Sequence, residues 1–213
     1  DEYTRGKLSL VTGQLARIQG TLRELVTFSR PASDLRGRVS TRDVVDEALG
    51  IAKFYKGGKT RQIAVDVPPD LPPLVGVRDQ LVQVVFNLVL NAIDATGKGG
   101  AINVAGRRVG ESSGRQVEIS VTDDGTGIDP AHRDRLFRPY FTTKKHGTGL
   151  GLFVVRRIVE QHGGAVAVES ETGRGTTFRV TLPTRDDPSS SPQVVRSSSP
   201  AATAEPGFPD LTT

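Results

Sequence analysis

The spacing of apolar residues near the N-terminus predicts two helices. In the first, apolar residues recur three and four residues apart, a heptad pattern whose narrow stripe needs a partner helix; the stripe consists of Leu8, Val11, Leu15, Ile18, Leu22 and Leu25. Pro31 ends this pattern, and we expect residues 31–37 to form a connector. A second helix, capped by Ser40 or Thr41, is predicted by the spacing of Val44, Val45, Ala48, Leu49 and Ala52.

The rest of the chain alternates between strand and helix patterns. Apolar and polar residues alternate, as in half-buried strands, at residues 63–67, 101–107, 116–122, 165–169 and 177–182. The last two of these strands would form a hairpin. Helical spacing is present from Arg78 to Ala95 and from Leu150 to Val159. We also expect an edge strand at residues 38–40, a proline-rich loop at residues 68–73 and a short helix near residues 130–136.

The composition excludes several classes of site. The 213 residues contain no cysteine, so disulfide bonds, thiol catalysis and cysteine-bound metals are excluded. The net charge is +4, but the basic residues are scattered and few aromatic residues lie among them, which favours a solvated basic surface over nucleic-acid binding. No apolar run is long enough to span a bilayer. Residues 184–213 are rich in serine and proline, and we expect disorder there because they cannot bury enough apolar surface.

Two glycine-rich turns suggest a ligand that carries phosphate groups. Residues 123–127 (Asp-Asp-Gly-Thr-Gly) follow a predicted strand, and residues 147–151 (Gly-Thr-Gly-Leu-Gly) open a predicted helix. Glycine lets the backbone approach a ligand, and the first free N–H groups of a helix point towards an anion. Asp123 precedes the glycines of the first turn, and Lys144 precedes the second turn. This arrangement predicts that backbone groups hold the phosphates while the carboxylate reads the other end of the ligand.

Asn87 and Asn91 lie one turn apart on the predicted helix at residues 78–95, and therefore share one of its faces. Two interpretations of this pair are open. The amides are either hydrogen-bonded core or surface groups, since buried amides without partners would cost stability, or they offer two carbonyl oxygens to a cation. Mg²⁺ prefers oxygen ligands and is commonly shared with water and substrate phosphates.

The order of four motifs resembles the ATP-binding catalytic domain of bacterial sensor histidine kinases. The first motif is Asn87-x-x-x-Asn91 followed by Asp94-Ala95, and the second is Asp123-x-Gly125-x-Gly127-Ile128. The third covers residues 136–144 (Leu-Phe-Arg-Pro-Tyr-Phe-Thr-Thr-Lys) and the fourth covers residues 147–152. The similarity is greatest to the nitrogen-regulation type, whose third motif also ends in Phe-Thr-Thr-Lys.

This resemblance implies a fold and a domain order. The fold would be α+β: a two-layer α/β sandwich with a mixed, mainly antiparallel sheet and helices on one face. The catalytic domain would occupy residues 31–183. Residues 1–30 would be the second helix of a dimerisation and phosphotransfer hairpin, and residues 184–213 the disordered tail.

The resemblance also implies how Mg²⁺ and ATP are bound. Asn91 would ligate Mg²⁺ with the help of Asn87, and Asp123 would accept a hydrogen bond from the adenine amino group. Lys144 would neutralise phosphate charge, and residues 139–147 would form a short mobile cover over the ligand. Asn91, Asp123 and Gly149 would then line one common cavity. The implied ATP-binding residues are Asn87, Asn91, Asp94, Asp123, Gly125, Gly127, Ile128, Lys144, Gly147, Thr148, Gly149, Leu150, Gly151 and, through a water, Thr176.

The phosphoacceptor is the point at which this chain departs from the family. These kinases phosphorylate a histidine that is followed by an acidic residue on the first helix of the hairpin. The chain contains only His132, His146 and His162, and none of them lies on a heptad helix beside an acid; we assign His162 to turn geometry. The chain also lacks methionine, and we expect it to be a fragment or a processed chain whose acceptor lies upstream of Asp1.

The resemblance leaves two other interpretations open. DNA gyrase, a mismatch-repair clamp and a heat-shock chaperone share the fold, and the chain would then be a nucleotide-gated interaction module without kinase activity. Those relatives hydrolyse ATP with a glutamate at the position of Asn87, which argues against this interpretation. The other alternative is a scaffold with a vestigial site, against which the intact motifs argue. The kinase interpretation implies a response-regulator receiver domain as a partner, a homodimer formed through the hairpin, and a cytoplasmic domain of a full-length protein whose membrane anchorage is open.

Overall fold

The computed structural model describes residues 36–55, 60–110, 116–144 and 147–184. The predicted heptad helix at residues 1–30 and the predicted tail after Thr184 lie outside the described residues. The strands are β1 (Gly37–Val39), β2 (Gln62–Asp66), β3 (Leu74–Gly76), β4 (Ala101–Val109), β5 (Gln116–Asp123), β6 (Ala165–Glu171) and β7 (Gly175–Pro183). The helices are α1 (Thr41–Ala52), α2 (Arg78–Ala95) and α3 (Gly151–Gln161), with a short 3₁₀ helix at Pro130–Arg135.

Five of the strands form the main sheet, in the order β2-β4-β5-β7-β6. β2 runs parallel to β4, while the β4–β5, β5–β7 and β6–β7 pairs are antiparallel. α2 and α3 pack on one face of this sheet, over an apolar layer formed by Ile102, Val104, Val121, Phe178 and Val180, and α1 packs against α2. The mixed, mainly antiparallel sandwich predicted from the sequence is therefore confirmed. None of the described helices is long and apolar enough to cross a membrane.

A second, two-stranded sheet forms beside the end of β7, where an isolated bridge joins Leu74 to Thr184. β1 pairs antiparallel with β3, so that Val39 lies opposite Leu74. A strand was predicted at residues 38–40, but none was predicted at Leu74–Gly76. Three residues are too few to show an alternating pattern, and β3 is specified by its pairing with a strand that lies 35 residues earlier. This small sheet leads directly into α2, because Val77 is the residue that precedes its first turn.

α2 is the longest described helix, and its bounds are those predicted from the sequence. Its buried side consists of Leu81, Val82, Val84, Val85, Leu88, Val89, Ala92 and Ile93. At its C-terminal end, Arg61 donates from its guanidinium to the carbonyl oxygens of Thr96, at 2.7 Å, and Ile93, at 3.0 Å. The last carbonyls of a helix have no partner within the helix. Arg61 therefore fixes the end of α2 to the start of β2.

The sheet face away from the helices carries a row of charges across four strands. Arg107 on β4 lies 2.7 Å from the Glu118 carboxylate on β5, and Arg179 on β7 lies 3.6 Å from the same oxygen. Arg179 also donates to Glu169 on β6 at 3.0 Å. Glu118 is buried and lies between two guanidinium groups. The row, Arg107–Glu118–Arg179–Glu169, is called the charge ladder below.

Candidate functional site

The first and third motifs meet at a lysine. Lys144 donates from its ammonium group to Asn91 Oδ1 at 2.9 Å and forms an ion pair of 2.7 Å with the Asp94 carboxylate. Asn91 and Asp94 lie on the last turns of α2, while Lys144 is the last residue of the third motif, which follows the 3₁₀ helix. The Lys144 ammonium thus lies against two side-chain oxygens of α2 that are 50 and 53 residues away in sequence.

Asn87 connects α2 to the start of α3. Its Nδ2 atom donates to the carbonyl oxygen of Gly151 at 3.3 Å. This contact orients the amide, with nitrogen towards α3 and the oxygen turned away from it. Asn87 is half-buried, so it is neither a fully buried core amide nor a free surface residue. The fourth motif is therefore fixed to the same helix face that carries Asn91.

Asp123 is the last residue of β5 and lies opposite Thr176 on β7. Both side chains are 5% exposed. The Asp123 carboxylate accepts a hydrogen bond of 2.9 Å from the backbone N–H of Gly125. Burial raises the pKa of Asp123 above its ordinary value of 3.8, an effect opposed by the backbone N–H groups of Gly125 and Thr176 and reinforced by the nearby charge of Asp124. Burial therefore makes the ionised form of Asp123 costly. Carboxylates with a raised pKa are common at functional sites.

Ser170 on β6 lies beside this pair and was not among the predicted site residues. Its hydroxyl accepts from the backbone N–H of Ile128 at 2.8 Å and donates to the carbonyl oxygen of Gly175 at 2.9 Å. A third contact of 2.9 Å joins it to the hydroxyl of Thr176. The sequence contains one signal for it, because Ser170 continues the inward series of Val166 and Val168 with a polar group.

The first glycine-rich turn is built against two other parts of the fold. Thr126 donates from its backbone N–H to the carbonyl of Ala95 at 3.2 Å, and its own carbonyl accepts from Gly173 at 2.8 Å. Gly127 has φ of 67°, and a Cβ there would overlap the Glu171 carbonyl. The turn thus needs glycine because protein backbone packs against it, a reason that is independent of the close approach to a ligand expected from the sequence.

The second glycine-rich turn packs against the third motif. Gly149 has φ of 70°, and a Cβ there would overlap the backbone of Tyr140. Tyr140 itself has φ of 63°, a conformation that non-glycine residues rarely adopt. Thr148 accepts from the backbone N–H of Leu150 at 3.3 Å, which orders the start of α3. Gly147 lies beside the Thr142 side chain, while residues 145 and 146 of the predicted cover lie outside the described residues.

The oxygens of this region suit a hard cation. Asn91 Oδ1 and the Asp94 carboxylate already face a positive charge, and Asn87 adds a second amide on the same helix face. In the described ranges, no group of three or more His, Cys, Asp or Glu residues could hold a metal alone. This donor set fits Mg²⁺, which keeps several waters and is completed by substrate phosphates, better than a cation caged by protein.

Two clefts flank the 3₁₀ helix. The first, of about 440 Å³, is lined by His132, Arg135, Arg138, Pro139, Tyr140, Phe141, Thr142 and Thr143. The second, of about 300 Å³, brings Gly127 and Ile128 of the second motif opposite Phe141 and Thr143 of the third. Asn91, Asp123 and Gly149 border neither cleft, although one cavity common to the three was expected. The candidate site is therefore described by its polar contacts, those of Lys144 with Asn91 and Asp94 and that of Asn87 with Gly151.

Comparisons with known proteins agree with these motifs. Residues 76–186 match the HATPase_c family model, described as histidine kinase-, DNA gyrase B-, and HSP90-like ATPase. Over 175 residues the chain is 40% identical to the sensor histidine kinase ZraS of Escherichia coli K12, which covers 81% of this chain and 37% of ZraS. The chain is thus similar to little more than a third of that relative.

Two solved structures have a similar fold. One is a mycobacterial sensor histidine kinase, MprB, with a TM-score of 0.62 and 29% identity, covering 71% of this chain and 99% of that one. The other is full-length ShkA in complex with AMPPNP, with a TM-score of 0.64 and 26% identity, covering 81% of this chain and 36% of that one.

Proposed function

Because this chain belongs to the family of histidine kinase-, DNA gyrase B- and HSP90-like ATPases, as the ATP-binding catalytic core of a sensor histidine kinase, we propose that it transfers the γ-phosphate of ATP to a histidine outside it. One observation carries the proposal: the Lys144 ammonium lies within hydrogen-bonding distance of both Asn91 and Asp94. It joins the two motifs to which the resemblance assigns the cation and the phosphates.

At the phosphate end, the positive charge would come from the Lys144 ammonium, which already contacts Asn91 and Asp94. Lys144 would exchange its contact with Asp94 for the phosphate oxygens, and the backbone at residues 147–151 would donate N–H groups to them. Mg²⁺, when bound to Asn91 with the help of Asn87, would neutralise phosphate charge. The ShkA structure contains AMPPNP, an ATP analogue, which supports nucleotide binding by this fold.

At the base end, Asp123 would read the adenine. Its carboxylate is buried and already accepts one backbone N–H, so its remaining acceptor capacity is suited to a hydrogen-bond donor such as the 6-amino group of adenine. A base with an acceptor at that position would leave a buried carboxylate facing a carbonyl oxygen, which is strongly unfavourable.

The chemistry of Asn87 favours transfer over hydrolysis. An amide has no basic group with which to activate a water, and this amide donates a hydrogen bond to the Gly151 carbonyl oxygen. Phosphoryl transfer mainly requires positioning and charge neutralisation, so the attacking nitrogen would come from the acceptor histidine of a hairpin helix. We propose that the complete protein works as a dimer through this hairpin and passes the phosphoryl group to a response-regulator receiver domain.

Binding of nucleotide is tested by titrating the 213-residue chain with ADP in the presence of Mg²⁺. We expect Asp123→Asn to weaken binding about 10-fold to 100-fold, because a hydrogen bond to a charged acceptor is lost. The same variant should unfold at no lower temperature than wild type, since the raised pKa of Asp123 means that its ionised form costs stability. Asp66→Asn, on the exposed side of β2, is the matched control.

Transfer is tested by adding radiolabelled ATP and a supplied hairpin that carries the acceptor helix. Acid-labile label on the hairpin is the expected result. A chain that binds ADP but labels no hairpin would contradict the kinase proposal. Steady ATP turnover by the chain alone would instead favour the nucleotide-gated module.

A further inference from the structure

A row of three polar side chains crosses the helix-facing side of the sheet at its end. Asp123 on β5 lies opposite Thr176 on β7, and Thr176 lies opposite Ser170 on β6. Directly opposed residues in antiparallel strands point to the same face. The row continues the apolar row of Val121, Phe178 and Val168, which covers the core. Ser170 and Thr176 therefore lie on the same side of the sheet as Asp123.

The hydrogen atoms of the two hydroxyl groups can be assigned by counting. A serine hydroxyl has one hydrogen and two lone pairs. The Ser170 hydroxyl is within 2.9 Å of the Gly175 carbonyl, which can only accept, and within 2.8 Å of the Ile128 N–H, which can only donate. Its hydrogen therefore goes to Gly175 and one lone pair to Ile128. The remaining contact, to Thr176 at 2.9 Å, is satisfied only if Thr176 donates its hydrogen to Ser170.

This assignment determines what Thr176 can offer to a ligand. Once its only hydrogen is directed to Ser170, the Thr176 oxygen presents lone pairs alone. Beside it, the Asp123 carboxylate is also an acceptor. A group that contacts this pair must bring hydrogens.

We infer that Ser170 is a specificity-determining positioning residue: it fixes the Thr176 hydroxyl as an acceptor, so that the site selects a 6-amino purine over a 6-oxo purine. This inference rests on the proposed nucleotide function. Ser170 does not need to touch the base, because it acts only by committing the Thr176 hydrogen. Without the Ser170 hydroxyl, the Thr176 hydrogen is free to rotate towards the ligand and to donate to a carbonyl oxygen.

The opposite face of the same strands supplies a matched control. Thr122 on β5 and Thr177 on β7 form a hydroxyl pair at 3.1 Å, one residue along each strand. Their side chains lie on the face of the charge ladder, away from Asp123. Thr177→Ala therefore removes a hydroxyl from β7, the strand that also carries Thr176, and breaks this pair. It leaves the row of Asp123, Thr176 and Ser170 unaltered.

The experiment compares the affinities of the chain for ADP and for inosine diphosphate, which carries a 6-oxo group. The proteins are wild type, Ser170→Ala, Thr176→Val, the double variant and Thr177→Ala. We expect Ser170→Ala to lower the ratio of ADP to inosine diphosphate affinity about threefold to tenfold, the range of one neutral hydrogen bond. Thr177→Ala should keep the wild-type ratio.

The double variant distinguishes a positioning role of Ser170 from a nonspecific structural effect of its replacement. With valine at position 176 there is no hydroxyl to orient, so adding Ser170→Ala should leave the affinity ratio unchanged. A fall in the ratio that persists in the Thr176→Val background would overturn the inference, as would an unchanged ratio in Ser170→Ala. Wild-type protein that binds no ADP at all would instead overturn the proposed function, which keeps the two failures distinct.

Discussion

Arg61 closes the C-terminal end of α2 through a 2.7 Å hydrogen bond to the carbonyl oxygen of Thr96. Its guanidinium also donates to the Ile93 carbonyl and to the Thr96 hydroxyl, at 3.0 and 3.1 Å. A cation at the C-terminus of a helix is favoured by the helix dipole as well as by these bonds. The turn that carries Asn91 and Asp94 is therefore held by the residue that precedes β2.

Replacing Arg61 is expected to destabilise the domain. Arg61→Gln should lower the free energy of unfolding by about 1–3 kcal/mol, because part-buried carbonyl groups lose a charged donor. Arg61→Lys should recover only part of this loss, since an ammonium lacks the planar fork of the guanidinium. Urea titrations measure both effects. Arg108→Gln, on an exposed part of β4, should change stability by less than about 0.5 kcal/mol; an equal loss in that control would contradict the capping role.

Asn91 is predicted to carry the metal dependence of nucleotide binding. In Asn91→Ala, the affinity for ATP should be nearly the same with Mg²⁺ as with EDTA, because the amide oxygen that would ligate the cation is gone. Wild-type protein should bind ATP more tightly with Mg²⁺. Calorimetric titration under both conditions gives the two ratios. Asn103→Ala, exposed on β4, should behave as wild type, and a full Mg²⁺ effect in Asn91→Ala would remove that residue from the metal site.

Gly127 and Gly173 separate two costs of adding a side chain. Both have positive φ, 67° and 80°, but a Cβ at Gly127 would overlap the Glu171 carbonyl whereas one at Gly173 meets nothing within 4 Å. Gly173→Ala should therefore lose about 1–2 kcal/mol through backbone strain alone. Gly127→Ala should lose about 1–3 kcal/mol more through overpacking. Equal losses in thermal or urea unfolding would show that the Glu171 backbone yields to the added methyl group.

His162 is expected to make stability depend on pH. Its Nε2 atom accepts from the Val77 N–H at 3.1 Å, and its Nδ1–H donates to the Ile158 carbonyl at 2.8 Å. Burial lowers the pKa of His162 below its ordinary value of 6.5, assisted by the charge of Arg36 and opposed by the Ile158 contact. The unfolded chain therefore binds the proton more readily. The contribution of His162 is complete above pH 6.5 and is lost as the pH falls through the lowered pKa.

The variant His162→Gln should remove this pH dependence. Below pH 6.5, wild-type stability should fall towards that of the variant, and the difference between them should be largest above pH 6.5. Urea midpoints at several pH values measure it. A constant difference across this pH range would show that the imidazole is not the titrating group.

The sequence predicted those parts of the fold that repeat a pattern over many residues. The bounds of α2 follow from 18 residues of helical spacing, and the β6–β7 hairpin from alternation around a glycine turn. β3 could not be found in this way, because its three residues depend on β1 for pairing. The helix predicted near residues 130–136 is a 3₁₀ helix, since Asp129 and Pro130 favour a tight first turn.

The site was predicted unevenly, for a similar reason. Lys144, Asn91 and Asp94 were known from their motifs, and the structure brings them together. Arg61 and Ser170 belong to no motif, and their contacts are with residues far along the chain, as with Ser170 and Ile128, 42 positions apart. No local pattern encodes such a contact. Only the polar position of Ser170 in an otherwise apolar series on β6 hinted at it.

The charge ladder has a consequence for how the sheet meets its surroundings. Alternating ions on four neighbouring strands attract one another across the sheet, and Glu118 shares its carboxylate between two arginines. Stacking another sheet on this face would strip water from all four groups at once, which is costly for charges. The sheet face that carries the charge ladder is thus a hydrated surface, which discourages aggregation through sheet stacking.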